Sequence, residues 1–249
     1  MKLRLIRNAT LRINYANKEF VIDPSLMPKY TIESFAGVSR NPLVDLPCPP
    51  EEVVEGIDMV IVSHLHPDHI DPLAQQLLPK DIQMFCQPSD ENILRQGDFQ
   101  SVSGIDASVI WDGITIMRTA GQHGTGMMAR QMGNVSGFLF KAENEPTVYW
   151  AGDTILFEGV IHTIREFKPE IVITHSGGAR FPGSAPIIMD DEQTVGVCRE
   201  ASQAIVVATH LEALDHCTVS RAKLRECAEK GGITSDRLLI PEDGESITF

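Results

Sequence analysis

The segment 58–63 constrains the fold most strongly, because it places the apolar run Met-Val-Ile-Val directly before a histidine-rich turn. A continuous apolar run of strand length is typical of a strand that is buried on both faces, as in layered α/β proteins. The order of elements along the chain agrees with this, since short strands come first and helices then alternate with strands. We therefore predict a single α/β domain over residues 1–249.

Periodicity and turn chemistry predict the individual elements. Asp71 and Pro72 mark the start of a helix, and the Asp112-Gly113 pair indicates the turn of a hairpin. The predicted strands are 3–6, 10–13, 20–22, 58–63, 82–85, 107–111, 114–119, 137–141, 147–151, 171–174, 204–208 and 238–240. The predicted helices are 72–78, 88–95, 157–167, 190–202 and 220–230.

Residues 24–50 interrupt this regular pattern with a proline-rich stretch that carries scattered aromatic residues such as Tyr30 and Phe35. A loop of this length inside a compact domain is usually functional or disordered. We interpret it as a lid-like insertion over an active site, and a plain surface excursion is the alternative.

Composition narrows the class of partner. The chain has 34 acidic and 21 basic residues, a net charge of -13, which argues against nucleic acid because phosphate backbones attract basic surfaces. No apolar stretch is long enough to span a membrane, and the N-terminus does not resemble a signal peptide. The five cysteines are odd in number and scattered, which favours a reducing cytoplasm. We expect a small-molecule substrate, no nucleic-acid or membrane partner, and possible homo-oligomerisation.

Four side chains that bind metals fall within six residues after the apolar run: His64, His66, Asp68 and His69. His64 and His66 are two residues apart, so in extended chain they point to the same side. Imidazole and carboxylate groups are the ligands of Zn²⁺ and neighbouring divalent ions. One ion needs only three or four protein ligands, so this cluster suggests a site for two ions.

Three further candidates each follow a predicted strand: His123, Asp153 and His210. Each alone has a simpler interpretation, since a single histidine at a strand end is more often a hydrogen-bonded bystander and Asp153 could cap a helix. Their shared position relative to the strands is what favours a common site, because strand ends that point the same way meet at one edge of a sheet.

The sequence at this point resembles the metallo-β-lactamase superfamily. Its H-x-H-x-D-H motif matches residues 64–69 without a change in spacing, and its later histidine, aspartate and histidine match His123, Asp153 and His210. Within the superfamily the chain looks most similar to the ascorbate-6-phosphate lactonase-like branch. The segments that carry this second resemblance are Asn8-Ala9-Thr10, Ile22-Asp23-Pro24, 210–217 and 241–245.

The resemblance implies a four-layer αβ/βα sandwich, in which two β-sheets face each other with helices outside. It also implies how the ligands are divided between two ions. One ion would be held by His64, His66 and His123, the other by Asp68, His69 and His210, and Asp153 would bridge them.

Five further residues are candidates for supporting or substrate-contacting roles. His175 could be a supporting group, a substrate contact or a general acid, and the same roles are open to His216, although a structural hydrogen bond is the simpler role for each. Glu212 could hold a ligand histidine by a hydrogen bond. Arg130 and Arg180 could anchor a carboxylate or phosphate, or they could be solvated surface residues. Methionines 127, 128 and 132, Phe181 and the 24–50 insertion could form an adaptable apolar wall.

These residues predict a dinuclear metal-dependent hydrolase that acts on a small organic ester, lactone, amide or phosphoester through a metal-bound hydroxide. Asp68 would orient the nucleophile and pass a proton to the leaving group. We expect two divalent ions, with Zn²⁺ first and Mn²⁺ or Fe²⁺ as alternatives. The competing functions are a phosphodiesterase or nuclease of the same fold and a non-catalytic metal-binding protein. Redox chemistry at two irons is a third, but relatives of that kind usually carry an added flavin domain.

Overall fold

Two seven-stranded sheets face each other in the computed structural model, which describes residues 1–249. Helices cover the outer face of each sheet, so the predicted four-layer αβ/βα sandwich is confirmed. None of the helices has both the length and the apolar character needed to cross a membrane.

The first sheet is built mainly from the N-terminal half of the chain, and its last strand comes from the C-terminus. Its strands are β1 (Lys2–Arg7), β2 (Thr10–Tyr15), β3 (Lys18–Ile22), β4 (Met59–Val62), β5 (Gln83–Cys86), β6 (Val102–Gly104) and β14 (Ser246–Thr248). The helices in this part of the chain are α1 (Pro50–Val54), α2 (Pro72–Leu77) and α3 (Glu91–Gln96). The spatial order is β14-β1-β2-β3-β4-β5-β6.

The second sheet has the order β13-β12-β11-β10-β9-β8-β7. Its strands are β7 (Ser108–Trp111), β8 (Ile114–Ala120), β9 (Ser136–Lys141), β10 (Val148–Trp150), β11 (Ile171–His175), β12 (Ile205–Thr209) and β13 (Leu238–Leu239). The helices in this part are α4 (Gly126–Met132), α5 (Glu158–Phe167), α6 (Asp191–Glu200) and α7 (Arg221–Lys230).

Strand direction brings several chain segments to one edge of the sandwich. In the first sheet, β3 and β4 are parallel. In the second sheet β10, β11 and β12 are parallel, and β8 runs in the same direction because β9 is antiparallel to both β8 and β10. The carboxyl ends of β8, β10, β11 and β12 therefore lie at the same edge, where the loops that follow them can meet.

Apolar residues of both sheets form the central core between them. Leu5 and Ile13 of the first sheet and Phe138, Trp150 and Ile173 of the second belong to one fully buried cluster. Two further clusters fill the spaces between each sheet and its own helices. The alternating residues of β1, β2 and β3 agree with burial mainly on one face of the sheet. The continuous apolar runs of the later strands agree with burial on both faces.

The longer predicted elements are confirmed to within a few residues, and the shortest ones were missed. The third helix begins at Glu91, not at residue 88, and the cap residue Asp90 makes no capping hydrogen bond through its side chain. The elements α1, β6, α4 and β14 have three to seven residues each. Segments this short carry too little periodicity to be recognised from sequence.

Arg7, at the end of β1, is an unusual buried charge with only 1% of its surface exposed. Its guanidinium donates hydrogen bonds to the carbonyl oxygens of Ser25 at 3.1 Å, Met27 at 2.9 Å and Val44 at 3.2 Å. All three acceptors lie in the 24–50 insertion. One side chain thus fixes both ends of this insertion to the first sheet.

We expect Arg7→Met to lower the free energy of unfolding by about 3 kcal/mol, because buried carbonyl groups would lose charged hydrogen-bond donors. Urea denaturation followed by circular dichroism measures this change. Arg165→Met, which removes an exposed arginine paired with Glu200, is the matched control and should change stability by less than about 1 kcal/mol. Equal stability of the two variants would contradict the anchoring role of Arg7.

Candidate metal centre

Polar side chains that follow five strands converge at one edge of the sandwich. The turn 64–69 comes directly after β4, and His175 is the last residue of β11. His123, Asp153 and His210 follow β8, β10 and β12. All of these side chains except His66 are buried. His123, Asp153 and His210 lie beside the turn 64–69. The sequence placed them there only because each follows a predicted strand.

Three of the histidines form the first group. The ligand nitrogens of His64, His66 and His123 lie within 4.8 Å of one another. His64 Nε2 and His66 Nδ1 are 2.9 Å apart. This group is the same set that the resemblance assigned to one ion.

The second group contains His69, Asp153, His175 and His210, whose donor atoms also lie within 4.8 Å of one another. It differs from the set expected from sequence, because His175 joins it through a 2.6 Å contact between its Nδ1 and Asp153 Oδ1. Asp68 is adjacent, with Oδ2 at 3.3 Å from His210 Nε2 and 3.5 Å from His69 Nε2.

Asp153 lies between the two groups. Its Oδ2 is 3.4 Å from His123 Nε2 and 4.0 Å from His64 Nε2 in the first group. The same oxygen is 3.2 Å from His69 Nε2 in the second. One carboxylate oxygen therefore faces both sets of imidazoles, which is the position that a bridging ligand requires.

Four of the histidines are oriented by a contact at Nδ1, which leaves Nε2 directed toward the carboxylates. Such contacts fix the tautomer and the ring orientation of a metal-ligating histidine. The contacts to Nδ1 are Ser63 Oγ for His64 at 2.9 Å, Asp23 Oδ2 for His69 at 2.6 Å, the Ile187 carbonyl for His123 at 2.9 Å and Cys217 Sγ for His210 at 3.6 Å.

The protein atoms alone create a strongly negative potential at this edge. Burial lowers the pKa of His210, but the charges of Asp153 and Asp68 outweigh it and raise that pKa to about 10. Burial also opposes charge on His69, yet Asp153, Asp68 and Asp23 raise its pKa well above the ordinary value. His175 behaves differently, because burial lowers its pKa to about 4. Carboxylates that hold protons on buried imidazoles are equally suited to hold cations there.

The residues present fit divalent metal ions. Two buried carboxylates stand among buried imidazoles, which is the donor set of zinc and of neighbouring transition metals. In addition, Nε2 of His69 and Nε2 of His175 are buried and make no hydrogen bond. Buried polar atoms are normally partnered, so these two nitrogens indicate the need for a further group at this point.

A cavity of about 140 Å³ opens onto the cluster. Its polar lining residues are His66, Asp68, His123, Asp153 and His216. Its apolar lining residues are Phe35, Pro67, Met132, Phe181 and Ile187. No lysine or arginine lines this cavity.

The 24–50 insertion reaches this cavity through Phe35, and the carboxylate of Asp215 holds that part of the insertion. Asp215 accepts hydrogen bonds from the backbone nitrogens of Phe35, Ala36, Val38 and Ser39 and from the side chains of Ser34 and Asn41. Partial burial raises the pKa of Asp215, but these hydrogen bonds outweigh it and hold the pKa well below its ordinary value. The insertion is therefore an ordered wall of the cavity where it passes Asp215.

The structure differs from expectation for the candidate supporting residues. Glu212 is exposed and binds Arg221, with Oε2 at 2.5 Å from Nη1, so its carboxylate is not on a ligand histidine. The contact at Nδ1 of His210, the ligand histidine nearest to Glu212 in the chain, is made by Cys217 instead. Arg130 is exposed on α4, and Arg180 lies 3.8 Å from Asp190. Neither arginine lines the cavity, which favours the surface interpretation of both.

His175 and His216, both expected to make structural hydrogen bonds, separate into two cases. His175 makes one with Asp153 at 2.6 Å. His216 lines the cavity, and its buried Nδ1 has no hydrogen-bond partner. Burial lowers the pKa of His216 to about 4. Of the three methionines, Met132 lines the cavity, Met128 packs against the cluster that contains Ile187, and Met127 is exposed.

Sequence reasoning assigned no role at the site to Asp23, which was named only within the segment Ile22-Asp23-Pro24 of the family resemblance. Its carboxylate accepts hydrogen bonds from the nitrogen and the hydroxyl of Ser63, at 2.8 Å and 2.7 Å, besides its contact with His69. A signal was present, because Asp23 directly follows β3 just as His123 and Asp153 follow their strands. Cys217 carried no comparable signal.

Comparison with known proteins agrees with this fold. Residues 18–211 match the family described as the Beta-lactamase superfamily domain. The chain is 38% identical to the UPF0173 protein YddR of Bacillus subtilis, with all of both chains covered. It is also 24% identical to a UPF0173 metal-dependent hydrolase of Azorhizobium caulinodans, over 71% of this chain and 73% of that one.

Two solved structures are similar over the whole chain. One is an isothiocyanate hydrolase from Delia radicum gut bacteria, with a TM-score of 0.93, 38% identity, and coverage of 100% of this chain and 99% of that one. The other is a possible metal-dependent hydrolase from Veillonella parvula, with a TM-score of 0.96, 33% identity and the same coverage. The chain thus belongs to the metallo-β-lactamase superfamily and, within it, to the UPF0173 family of metal-dependent hydrolases.

We expect Asp23→Asn to weaken zinc binding about 10–100-fold. An amide has only one oxygen that can accept hydrogen bonds, so His69 loses its orienting partner. Competition with a chromogenic zinc chelator measures the affinity. Asp45→Asn, at an exposed carboxylate, is the control and should bind zinc as the unmodified protein does. An Asp23→Asn protein of full affinity would show that the Asp23–His69 contact does not support metal binding.

We expect Asp215→Asn to release the part of the insertion around Phe35, because the chain would lose the charged acceptor of several backbone groups. Chymotrypsin should then cleave after Phe35 roughly 10-fold faster or more, since cleavage requires local opening. Mass spectrometry of timed digests identifies the site and its rate. Asp98→Asn, at an exposed position, is the control, and cleavage of both variants at the same rate would exclude the anchor.

Proposed function

We propose that the chain is a dinuclear hydrolase of small, neutral electrophiles that carry an apolar substituent, with isothiocyanates as the first candidate substrate. In this reaction one water adds to the central carbon of R–N=C=S and the carbon–nitrogen bond breaks. The products are the amine R–NH₂ and carbonyl sulfide, so both protons of the water end on the nitrogen.

The form of the cavity is the observation that carries this proposal. Histidines and aspartates of the cluster and five apolar residues line the same cavity of about 140 Å³. This space suits a small molecule with one reactive end and one apolar end. The proposal is supported by the full-length similarity, at 38% identity, to the isothiocyanate hydrolase from Delia radicum gut bacteria.

The ligand assignment follows the two groups of donors. We assign one ion to His64, His66 and His123, the other to His69, His210 and Asp68, and the position between them to Asp153. Divalent ions bound there supply Lewis acidity and activate water at neutral pH. Zn²⁺ fits the histidine-rich set best, and Mn²⁺ or Fe²⁺ are the alternatives. His175 fixes the second oxygen of Asp153.

Asp68 is the residue of this chain that we assign to proton transfer. It lines the cavity and its Oδ2 lies between two histidines, His69 and His210. In that position it can accept a proton from the attacking water and return it to the nitrogen that leaves as the amine. Phe35 and Phe181 bind the apolar substituent and keep bulk water away from the reacting carbon.

No lysine or arginine lines the cavity, and this favours neutral substrates over phosphoesters. A phosphoester or nucleic acid substrate carries negative charge beyond what the metal ions contact, and basic side chains usually bind it, but this cavity offers none. Esters, amides and lactones need no such side chains, and the resemblance to the ascorbate-6-phosphate lactonase-like branch keeps lactones as a prediction. We therefore place neutral substrates first. Separately, we propose a cytoplasmic enzyme without a nucleic-acid or membrane partner.

We expect His66→Ala to lose bound metal and to lower kcat/KM for benzyl isothiocyanate by at least about 100-fold, because the ligand set of one ion is then incomplete. Atomic absorption measures the metal content, and amine release measures the activity. His162→Ala is the matched control, since His162 is exposed and pairs with Glu166 on α5.

The same assay applied to a simple ester, a lactone and a phosphodiester tests the substrate class. The proposal requires benzyl isothiocyanate to be hydrolysed faster than the phosphodiester by the metal-loaded protein. A His66→Ala protein with full activity would refute the metal mechanism, and a clear preference for the phosphodiester would refute the substrate class.

A further inference from the structure

His216 stands out among the buried histidines because neither of its ring nitrogens makes a hydrogen bond within the protein. Its Nδ1 is fully buried and has no partner, and the residue is 7% exposed. By contrast, His64, His69, His123 and His210 each have a partner at Nδ1. A buried imidazole without a partner is rare in folded proteins, so this one calls for a ligand.

The position of the ring shows where such a ligand would lie. His216 lines the cavity beside the metal centre but belongs to neither group of metal-ligating donors. Two aromatic rings from other loops flank it, with centroids at 5.0 Å for Phe35 and 6.1 Å for Phe181. These neighbours are apolar, and they hold the plane of the imidazole without offering it a hydrogen bond.

A neutral imidazole carries one proton, on either Nδ1 or Nε2. The surroundings of His216 indicate which of the two nitrogens carries it. A proton on Nδ1 would be a buried donor without an acceptor, which is costly. A proton on Nε2, the nitrogen absent from the fully buried atoms, can reach an acceptor in the cavity. The ring is therefore a neutral donor whose acceptor must come from outside the protein.

We propose that His216 is a substrate-contacting residue that donates a hydrogen bond from Nε2–H to the substrate heteroatom that gains negative charge when water adds. For an isothiocyanate this heteroatom is the nitrogen or the sulfur on the attacked carbon. This assignment rests on the proposed function. It places a neutral donor in the cavity lining, beside Phe35 and Phe181 and outside both groups of metal-ligating donors.

A hydrogen bond of this kind strengthens as charge develops, so it stabilises the transition state more than the bound substrate. Its loss should therefore appear in kcat and leave KM nearly unchanged. Removing one donor of this type from other enzymes costs roughly 100–1000-fold in kcat. Because metal ions share the charge here, we expect a smaller loss of about 10–100-fold.

Three substitutions separate this role from a structural one. The amide nitrogen of Gln reaches close to the position of Nε2, whereas that of Asn reaches close to Nδ1, and Phe offers no donor. With the zinc-loaded protein and benzyl isothiocyanate, His216→Phe and His216→Asn should lose about 10–100-fold in kcat with KM within about threefold. His216→Gln should stay within about fivefold of the unmodified protein. His162→Gln controls for the substitution itself, and zinc content should be unchanged in all four variants.

The tautomer provides a test that does not depend on turnover. In the zinc-loaded protein, ¹⁵N spectra of the histidine side chains, assigned by the signal lost in His216→Gln, should show the proton on Nε2. A proton on Nδ1 would overturn the proposal whatever the substrate is. Full activity of His216→Phe would also overturn it, as would equal losses in the Gln and Phe variants accompanied by loss of zinc.

Failure of the proposed function has a different signature. If the unmodified protein holds zinc but hydrolyses another member of the substrate panel and no isothiocyanate, the substrate class is wrong. The same three variants are then measured with the substrate that is hydrolysed, and the expected order of Gln above Asn and Phe still decides the role of His216.

Discussion

Two buried carboxylates, Asp68 and Asp153, are the constraint on which the rest of this structure depends. A buried carboxylate is costly unless it is paired, and here the partners are imidazoles rather than lysine or arginine. An imidazole can lose a proton and bind a metal ion through the freed nitrogen. A lysine or arginine would keep its positive charge and compete with the metal ion for the carboxylates. The negative potential that raises the pKa of His210 to about 10 is thus available to divalent cations. The electrostatics of this edge suit it to divalent cations before any substrate is considered.

The fold meets this constraint by directing strands toward a common edge. Each ligand candidate stands at the carboxyl end of a strand whose interior is packed between other layers, so its backbone position is fixed by the core. The ring orientation is fixed separately, by Ser63, Asp23, Cys217 and a backbone carbonyl. Rigid strand ends and tethered rings together reduce the entropy lost when an ion binds.

The sequence predicted those site residues whose evidence lies within one short segment or in a shared position after a strand. It did not predict contacts between distant segments. The cluster 64–69 was visible because its members are neighbours in the chain, and His123, Asp153 and His210 were found by their common relation to strands. The partner of His69 was not recognised, because Asp23 lies 46 residues away and the contact exists only once β3 and β4 pair. Glu212 was misassigned for a related reason, since the position of Arg221, nine residues later, decides where its carboxylate goes. Pairing across the fold, which no periodicity encodes, decided these cases.

The division between the metal centre and the cavity wall bears on how such an enzyme selects its substrate. The ligands follow strand ends, whereas Phe35 and Phe181 of the apolar lining come from loops, which tolerate substitution more readily. Asp215 and His216 are adjacent in the chain, and both contact the part of the insertion that carries Phe35. Asp215 holds the backbone of the insertion that carries Phe35, while His216 packs against the ring of Phe35 and lines the cavity. A change in the insertion therefore alters the apolar wall and the environment of the unpartnered imidazole together, while the buried carboxylates and their histidines keep their positions.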